Sequence, residues 1–304
     1  MIGDLKAVLS ESASEWGIPT GEWGFIIHNN YQLNYSGINI FWFHNHDRDP
    51  CVVTKIFPEP SLAHQEFRNL QDAYPFAPGT VPKPLTLCQT DDYWTLWMSG
   101  ISGTKLSANH ISDAALDRFC DDLVAIQKGV SAKRPASPHR YRDCILEPVE
   151  LTIQQAPQIS AACRRVLEEY TENRAGRLPV LQQHGDLYIG NIIVNGSGEW
   201  AIVDWELLGI VDLPFFDVVK FLFSLGEGTA PDRWHPDIQR GARRLISRYT
   251  KALGIDPREF LSLLPILLAN WFYCQPLIQG KETALGALRD CLTRPANWER
   301  VLLA

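Results

Sequence analysis

No two cysteines of this chain stand as a C-x-x-C pair. The seven (Cys51, Cys88, Cys120, Cys144, Cys163, Cys274 and Cys291) are also odd in number. Both features weigh against a disulfide framework and suit free thiols in a reducing cytoplasm. Positive charge is in short supply: 28 Lys and Arg against 35 Asp and Glu leave a formal −7. That argues against nucleic acid or an anionic membrane as the main partner. An apolar leader is missing too. "MIGDLKAVLSESASEW" carries acids early and has no hydrophobic stretch of signal-peptide type, so no secretory signal is expected. The charge-free segment from Phe260 to Gly280 contains Pro265, Asn270, Gln275, Pro276 and Gln279. It reads as a buried core helix and not as a membrane span. There are no internal repeats and no low-complexity tract.

What remains is the composition of an ordinary globular chain, 45% hydrophobic and 21% charged over 304 residues. That length suffices for one large domain or two lobes. The first hundred residues read as β-rich. "GFIIHNNYQLNYSGINIFWFH" is strand-like with "YSGIN" as its turn, and "CVVTKIF" and "YWTLWMSG" are further strands. Between them "SLAHQEFRNLQDAY" reads as a helix with Ser61 as its candidate cap. Beyond Gly103 the pattern turns helical in "SDAALDRFCDDLVAIQ", "APQISAACRRVLEEY", "FFDVVKFLFSL", "DIQRGARRLISRYTKAL" and the run from Phe260. The expected fold is therefore α+β. A small antiparallel β-sheet lobe with one main helix occupies residues 1–98, a connection 99–103, and a larger, mostly helical lobe 104–304.

One stretch of the second lobe breaks its own pattern. "LQQHGDLYIGNIIV" runs as a buried strand at both ends, but holds His184, Gly185, Asp186 and Asn191 in between. The following "NIIVNGSGEWAIVDWE" is two apolar runs around Asn195-Gly196-Ser197-Gly198, a β-hairpin signal. With a loop at 195–199, Val194 pairs with Trp200 and Ile193 with Ala201. Asn191 then falls opposite Val203, beside Asp204. Asp186, Asn191 and Asp204 thus supply oxygen-bearing side chains of the kind that a hard cation such as Mg²⁺ takes. The alternative is that the two aspartates cap local turns.

Two isolated charges in the first lobe also ask for partners. Lys55 lies in an apolar strand, on one face with Val53 and Phe57. Glu66 lies four residues from both Leu62 and Leu70, on the apolar face of the helix that follows, where an unpaired charge is costly. Each offers what the other lacks. An edge-strand lysine and a solvated glutamate are the alternative.

"HGDLYIGN" followed by "IVDWE" resembles the aminoglycoside phosphotransferase and choline kinase-like small-molecule kinases, relatives of the protein kinases. In the protein-kinase form the loop is H-R-D-x-x-x-x-N followed by D-F-G. Here Gly185 replaces the Arg, and Asp204-Trp205-Glu206 replaces the second motif. The resemblance implies a two-lobed protein-kinase-like fold and a phosphotransferase that uses ATP or GTP with Mg²⁺. It implies that Asp186 takes the proton of an acceptor hydroxyl, that Asn191 and Asp204 hold the metal, and that Lys55, secured by Glu66, meets the phosphates. Ser36, Gly37 and Asn39 would form the turn over the phosphates, although one glycine is not a G-x-G-x-x-G loop. Main chain near Ser99 and Ile101 would meet the base. Asp217 and His184 would brace the catalytic loop, with helix solvation as the alternative for Asp217.

The acceptor is a small hydroxyl compound by the same resemblance. From residue 221 onward eleven basic residues face eight acidic ones, a formal +3 that leaves −10 on residues 1–220. That sign disfavours a polycationic aminoglycoside and leans toward a neutral or anionic sugar, nucleoside-like metabolite or antibiotic. Trp271, Phe272 and Tyr273 are candidate ring surfaces, with core packing as the alternative. Two other functions stand beside this one. A non-catalytic pseudokinase or scaffold would use segment 260–280 to bind a partner, yet Lys55, Glu66, Asp186, Asn191 and Asp204 are all present. A protein-substrate kinase would need a long activation segment, and only twelve residues separate Asp204 from Asp217.

Overall fold

The β-branched and aromatic residues of the first hundred positions do form strands. In a computed structural model, which describes residues 2–29, 38–45, 47–90, 93–107, 110–274 and 278–303, the chain divides into two compact units. The first comprises Met1–Leu106 and Ile192–Glu206, the second Ser107–Asn191 and Leu207–Ala304.

In the first unit β1 (Trp23–Asn29), β2 (Ile38–His44), β3 (Val52–Phe57), β4 (Pro84–Thr90) and β5 (Tyr93–Ser99) make one antiparallel sheet in the order β1-β2-β3-β5-β4. A helix not anticipated from the sequence, α1 (Ile2–Trp16), precedes it. Leu5, Leu9, Ala13 and Trp16 recur at helical spacing on its buried face. Leu5, Leu9 and Trp16 share a core with Trp23, Ile40, Trp42, Val52, Ile56 and Trp97. Trp42 stacks on Trp97 with ring centroids 6.1 Å apart. Its indole N–H donates to Thr54 Oγ1 at 2.8 Å, so the buried polar atom is satisfied.

Helix α2 (Pro60–Ala73) follows β3. Ser61, expected as its cap, lies inside the first turn. Glu59 is the capping residue and uses no side-chain bond. Pro60 begins the helix, because its fixed φ suits the first helical position.

The expected helical pattern beyond Gly103 also starts later. β6 (Thr104–Lys105) first joins β7 (Ile192–Val194) and β8 (Trp200–Ile202) in a three-stranded sheet. The hairpin register is the expected one, Val194 with Trp200 and Ile193 with Ala201. Gly103 has φ +137°, and a Cβ there would lie 2.1 Å from the Val194 carbonyl oxygen, so only glycine fits.

The second unit is helical. Helix α3 (Asp113–Lys133) is capped by Ser112, whose Oγ accepts from Ala115 N. Then come α4 (Glu147–Gln155), α5 (Ser160–Glu169), α6 (Glu172–Ala175), α7 (Phe216–Leu225), α8 (Pro236–Leu253), α9 (Pro257–Cys274), α10 (Ile278–Thr293) and α11 (Pro295–Leu302). Every residue of α7 from Phe216 to Phe223 is buried. The same holds for most of α9, so its apolar run is core. Among the described residues no helix is long and apolar enough to cross a membrane.

Leu9 tests whether α1 belongs to the core of the first unit. It is wholly buried, so Leu9→Ala is expected to lower the unfolding free energy by about 2–5 kcal/mol. Denaturant melts read this directly. A loss below about 0.5 kcal/mol would show α1 to be a dispensable appendage.

Candidate functional site

The interrupted strand becomes a loop hung on α7. Asp217, in the first turn of α7, is fully buried. Its Oδ2 accepts from His184 N at 2.7 Å, and its Oδ1 from Gly185 N at 3.0 Å. Gln127 Nε2, from α3, donates to the same Oδ2 at 2.9 Å. Burial pushes the Asp217 carboxyl above its ordinary range, while the His184 ring, the two amides and Gln127 oppose that shift. Gln127 also donates to Gln183 Oε1 and accepts from the Tyr249 hydroxyl of α8. Gln183 Oε1 in turn accepts from Asp217 N.

Two unusual backbone positions fit this support. Phe215, just before α7, has φ +72°, costly for a bulky residue. Its ring packs against Tyr249 and Phe260 with centroids 5.1 and 5.2 Å away. Gly185 has φ +87°, and a Cβ there would meet the Leu207 carbonyl oxygen at 2.5 Å. The loop therefore has no room for the arginine that protein kinases carry at this place.

His184 is buried, and its Nδ1 accepts from Asp186 N at 3.3 Å. An accepting Nδ1 places the ring proton on Nε2. The ring thus braces the loop, as expected. Asp186 keeps its side chain 32% exposed. Asn191 Nδ2 donates to the Asp186 carbonyl at 3.0 Å and to its Oδ2 at 3.3 Å. That leaves the Asn191 amide oxygen as the atom suited to a cation. Lys220, on α7, donates to Gly185 O at 3.0 Å and to Asp186 Oδ1 at 2.5 Å.

The first unit holds a second cluster. Lys55 Nζ donates to Glu66 Oε1 and Oε2 at 2.9 and 2.8 Å, and to Asp204 Oδ1 at 2.7 Å. Burial alone would lower the lysine pKa. The carboxylates of Glu66, Asp204 and Glu206 outweigh it and push that pKa up. Burial raises Glu66, and Lys55 opposes the rise. Carboxylate oxygens of Glu66, Asp204 and Glu206 lie within 4.8 Å of one another. Asp204 has φ +68°, a left-handed turn that aspartate tolerates better than most residues. Helix α2 grips this turn from the face that carries Glu66. Asn69 Nδ2 donates to Trp205 O at 2.7 Å, and Gln65 Nε2 to Glu206 O at 3.1 Å.

The family model of the APH phosphotransferase enzyme family matches residues 37–253 of this chain. The chain belongs to that family. It is thus a phosphotransferase, a small-molecule kinase by family. Solved structures share its fold at low identity. A choline kinase from Cryptosporidium parvum is 12% identical with a TM-score of 0.63, covering 99% of this chain and 98% of that one. An ethanolamine kinase from Plasmodium vivax is 12% identical with a TM-score of 0.59, covering 92% and 83%. Aminoglycoside phosphotransferase APH(4)-Ia, as a thermostable mutant with ADP and hygromycin B, is 14% identical with a TM-score of 0.57, covering 94% and 98%. A search of curated protein sequences gave no match.

The expected residues of this phosphotransferase fall into the two units. Lys55, Glu66 and Asp204 meet in the first, Asp186 and Asn191 in the second. Asn39 stands opposite Lys55 in the β2–β3 ladder. Its Oδ1 is buried with no hydrogen-bond partner among the described residues. Such an acceptor asks for a donor, for example a hydroxyl or water, and not for a phosphate oxygen. Ser36 and Gly37 lie outside the described residues. Ser99 is tied to Lys83 through both N and Oγ, and Ile101 is half-buried. Trp271 and Phe272 are buried in α9, while Tyr273 is 43% exposed. Some of the arginines that made residues 221–304 basic are paired. Arg244 and Arg248 of α8 bind Asp113, Asp117 and Asp121 of α3. The sign of that stretch therefore gives no guide to an acceptor pocket.

Sequence reasoning missed Gln127, Tyr249, Asn69, Glu206 and Lys220. Lys220 alone had a signal of the kind that revealed Lys55, a lysine in an otherwise apolar run.

Three single variants and one double variant probe this geometry. Lys55→Met strands the buried Glu66, whereas Glu66→Gln leaves Lys55 with Asp204. Lys55→Met is therefore expected to destabilise more. The double variant should fall short of additivity by about 0.5–3 kcal/mol in chemical melts, and additive losses would contradict the contact. Gly185→Ala combines a left-handed φ with a clash against main chain. Its expected cost is about 1–3 kcal/mol, read by the same melts. A neutral substitution would mean that the loop relaxes freely.

Proposed function

We propose that this phosphotransferase moves the γ-phosphoryl group of ATP, or of GTP, to a hydroxyl of a small molecule such as a sugar, a nucleoside-like metabolite or an antibiotic. The observation that carries the reading is the Lys55–Glu66–Asp204 contact. It joins residues up to 149 positions apart in one charge cluster, of the kind that phosphoryl transfer asks for. Similar folds bound to ADP or to AMP support a nucleotide donor. Residues 1–98 serve as the nucleotide lobe in this reading, 99–103 as the hinge with main chain at Ser99 and Ile101 toward the base, and 104–304 as the catalytic and acceptor lobe. The seven free cysteines favour a cytoplasmic setting.

Mg²⁺ fits the donor set. Three carboxylates share one lysine in the first unit. Asp204 has its Oδ1 on Lys55 and a side chain 37% exposed, and Asn191 keeps its amide oxygen. Both residues are assigned to the metal. Such an ion, held by these residues, would supply positive charge against the phosphates. The remaining work falls to side chains. Lys55, fixed by Glu66, contacts phosphate. Asp186 orients the acceptor hydroxyl and receives its proton as the oxygen–phosphorus bond forms and the bond to the departing nucleotide breaks.

Asp186→Asn keeps the shape and removes the proton acceptor. It is expected to lower kcat about 10²–10⁴-fold and to leave the affinity for Mg²⁺-ATP nearly unchanged. Asp204→Ala should weaken Mg²⁺-dependent nucleotide binding first. Turnover against a panel of hydroxyl compounds that includes cationic aminoglycosides, with calorimetric titration of a non-hydrolysable nucleotide, separates the two. Unchanged Mg²⁺-ATP binding by Asp204→Ala would remove that residue from the metal site.

A further inference from the structure

Lysine is almost never fully buried unless an anion accompanies it. Lys220 has a side chain only 4% exposed, in a helix buried from Phe216 to Phe223. Its ammonium does not stand alone. It donates to Gly185 O and to Asp186 Oδ1, and lies 5.9 Å from the centre of the Phe216 ring. The Cys274 thiol of α9 also lies within its field. The named counter-charge is Asp186, the residue assigned above to the acceptor hydroxyl.

The placement on α7 is specific. Asp217 and Lys220 are three residues apart and so share one helix face. Asp217 accepts from the amides of His184 and Gly185. Lys220 donates to the next carbonyl and the next side chain. One turn of helix thus holds the loop through both its donors and its acceptors. Asp186 Oδ1 is committed to Lys220, and Asn191 reaches only the other oxygen, at 3.3 Å.

We propose that Lys220 is a positioning residue for phosphoryl transfer: it fixes the ionised Asp186 carboxylate by Oδ1 and leaves Oδ2 to take the acceptor proton. This rests on the phosphotransferase reading and deepens it. The step balances. The acceptor oxygen bonds to the γ-phosphorus, the bridging P–O bond breaks, its electron pair leaves with the nucleoside diphosphate, and the proton passes to Oδ2.

The pair is unequal. Asp186 is one-third exposed and can fall back on water. Lys220 cannot. Asp186→Asn should therefore melt earlier than the parent, and adding Lys220→Met should recover part of that loss.

The test uses the full chain with Mg²⁺-ATP and water as the acceptor, reading ADP release, AMP-PNP affinity and thermal melts. Lys220→Met is expected to lower kcat by about 10²-fold, to leave AMP-PNP affinity unchanged, and to add no further factor to Asp186→Asn. Lys220→Arg should recover part of the rate, which a purely structural role would not predict. Parent-like kcat in Lys220→Met, loss of nucleotide affinity with kcat, or full additivity with Asp186→Asn would each overturn the proposal. Should Lys220→Met not fold, Lys220→Arg decides: the charge is kept but the geometry changed, so a lower kcat at unchanged AMP-PNP affinity supports the role, and parent kcat removes it. A parent chain that neither binds AMP-PNP nor releases ADP overturns the phosphotransferase reading itself, and this inference with it.

Discussion

One carboxylate, that of Asp217, sets the shape of the loop that carries Asp186. A buried aspartate surrounded by apolar side chains is unfavourable unless hydrogen bonds replace its water. Here two consecutive amides and a glutamine do so. Those amides have no strand to pair with at this point, because the strand is broken. The need is mutual: the loop requires an acceptor, and the acceptor requires donors. Around that exchange Gln127, Gln183 and Tyr249 form a network in which each polar atom serves another. Strain at Phe215 and the glycine at 185 fit the same constraint, because each puts the chain where Asp217 can reach it.

The first unit solves a different problem. It holds more negative charge than its lysine can balance, at Glu66, Asp204 and Glu206. In the second unit Lys220 and Asp186 balance one another. The two clusters therefore differ in charge, a net negative group in the first and a balanced pair in the second.

Much of this was legible in the sequence, for identifiable reasons. The hairpin register followed from the Asn-Gly-Ser-Gly turn, whose length fixes the pairing of its flanks. Lys55 and Glu66 could be matched because each was a lone charge on an apolar face. Other features left no trace of that kind. Helix α1 mixes seven polar residues with seven apolar ones, and in "LSESASEW" serine and glutamate mask the period. Its role depends on a sheet that lies later in the chain. Ser61 looked like a cap because capping favours serine, but Pro60 had already set the helix start. Gln127 and Tyr249 sit in ordinary amphipathic helices, and only the fold reveals that Gln127 reaches Asp217 and that Tyr249 reaches Gln127. The basic balance of the C-terminal third is a coarse signal for the same reason. A count of charges does not say that Arg244 and Arg248 are tied to aspartates in α3.

Loops that carry reactive groups usually belong to the softest parts of a protein and open on their own. The loop at 184–186 cannot do so cheaply. Opening it would free the His184 and Gly185 amides only by taking two donors from the Asp217 carboxylate, which is buried in the helical core. Hydrogen exchange at those two amides should therefore follow the global unfolding of the second unit, not a local fluctuation. The segment proposed to carry the chemistry is then part of the slowest-exchanging region, and the motion that the proposed turnover needs would come from elsewhere in the chain.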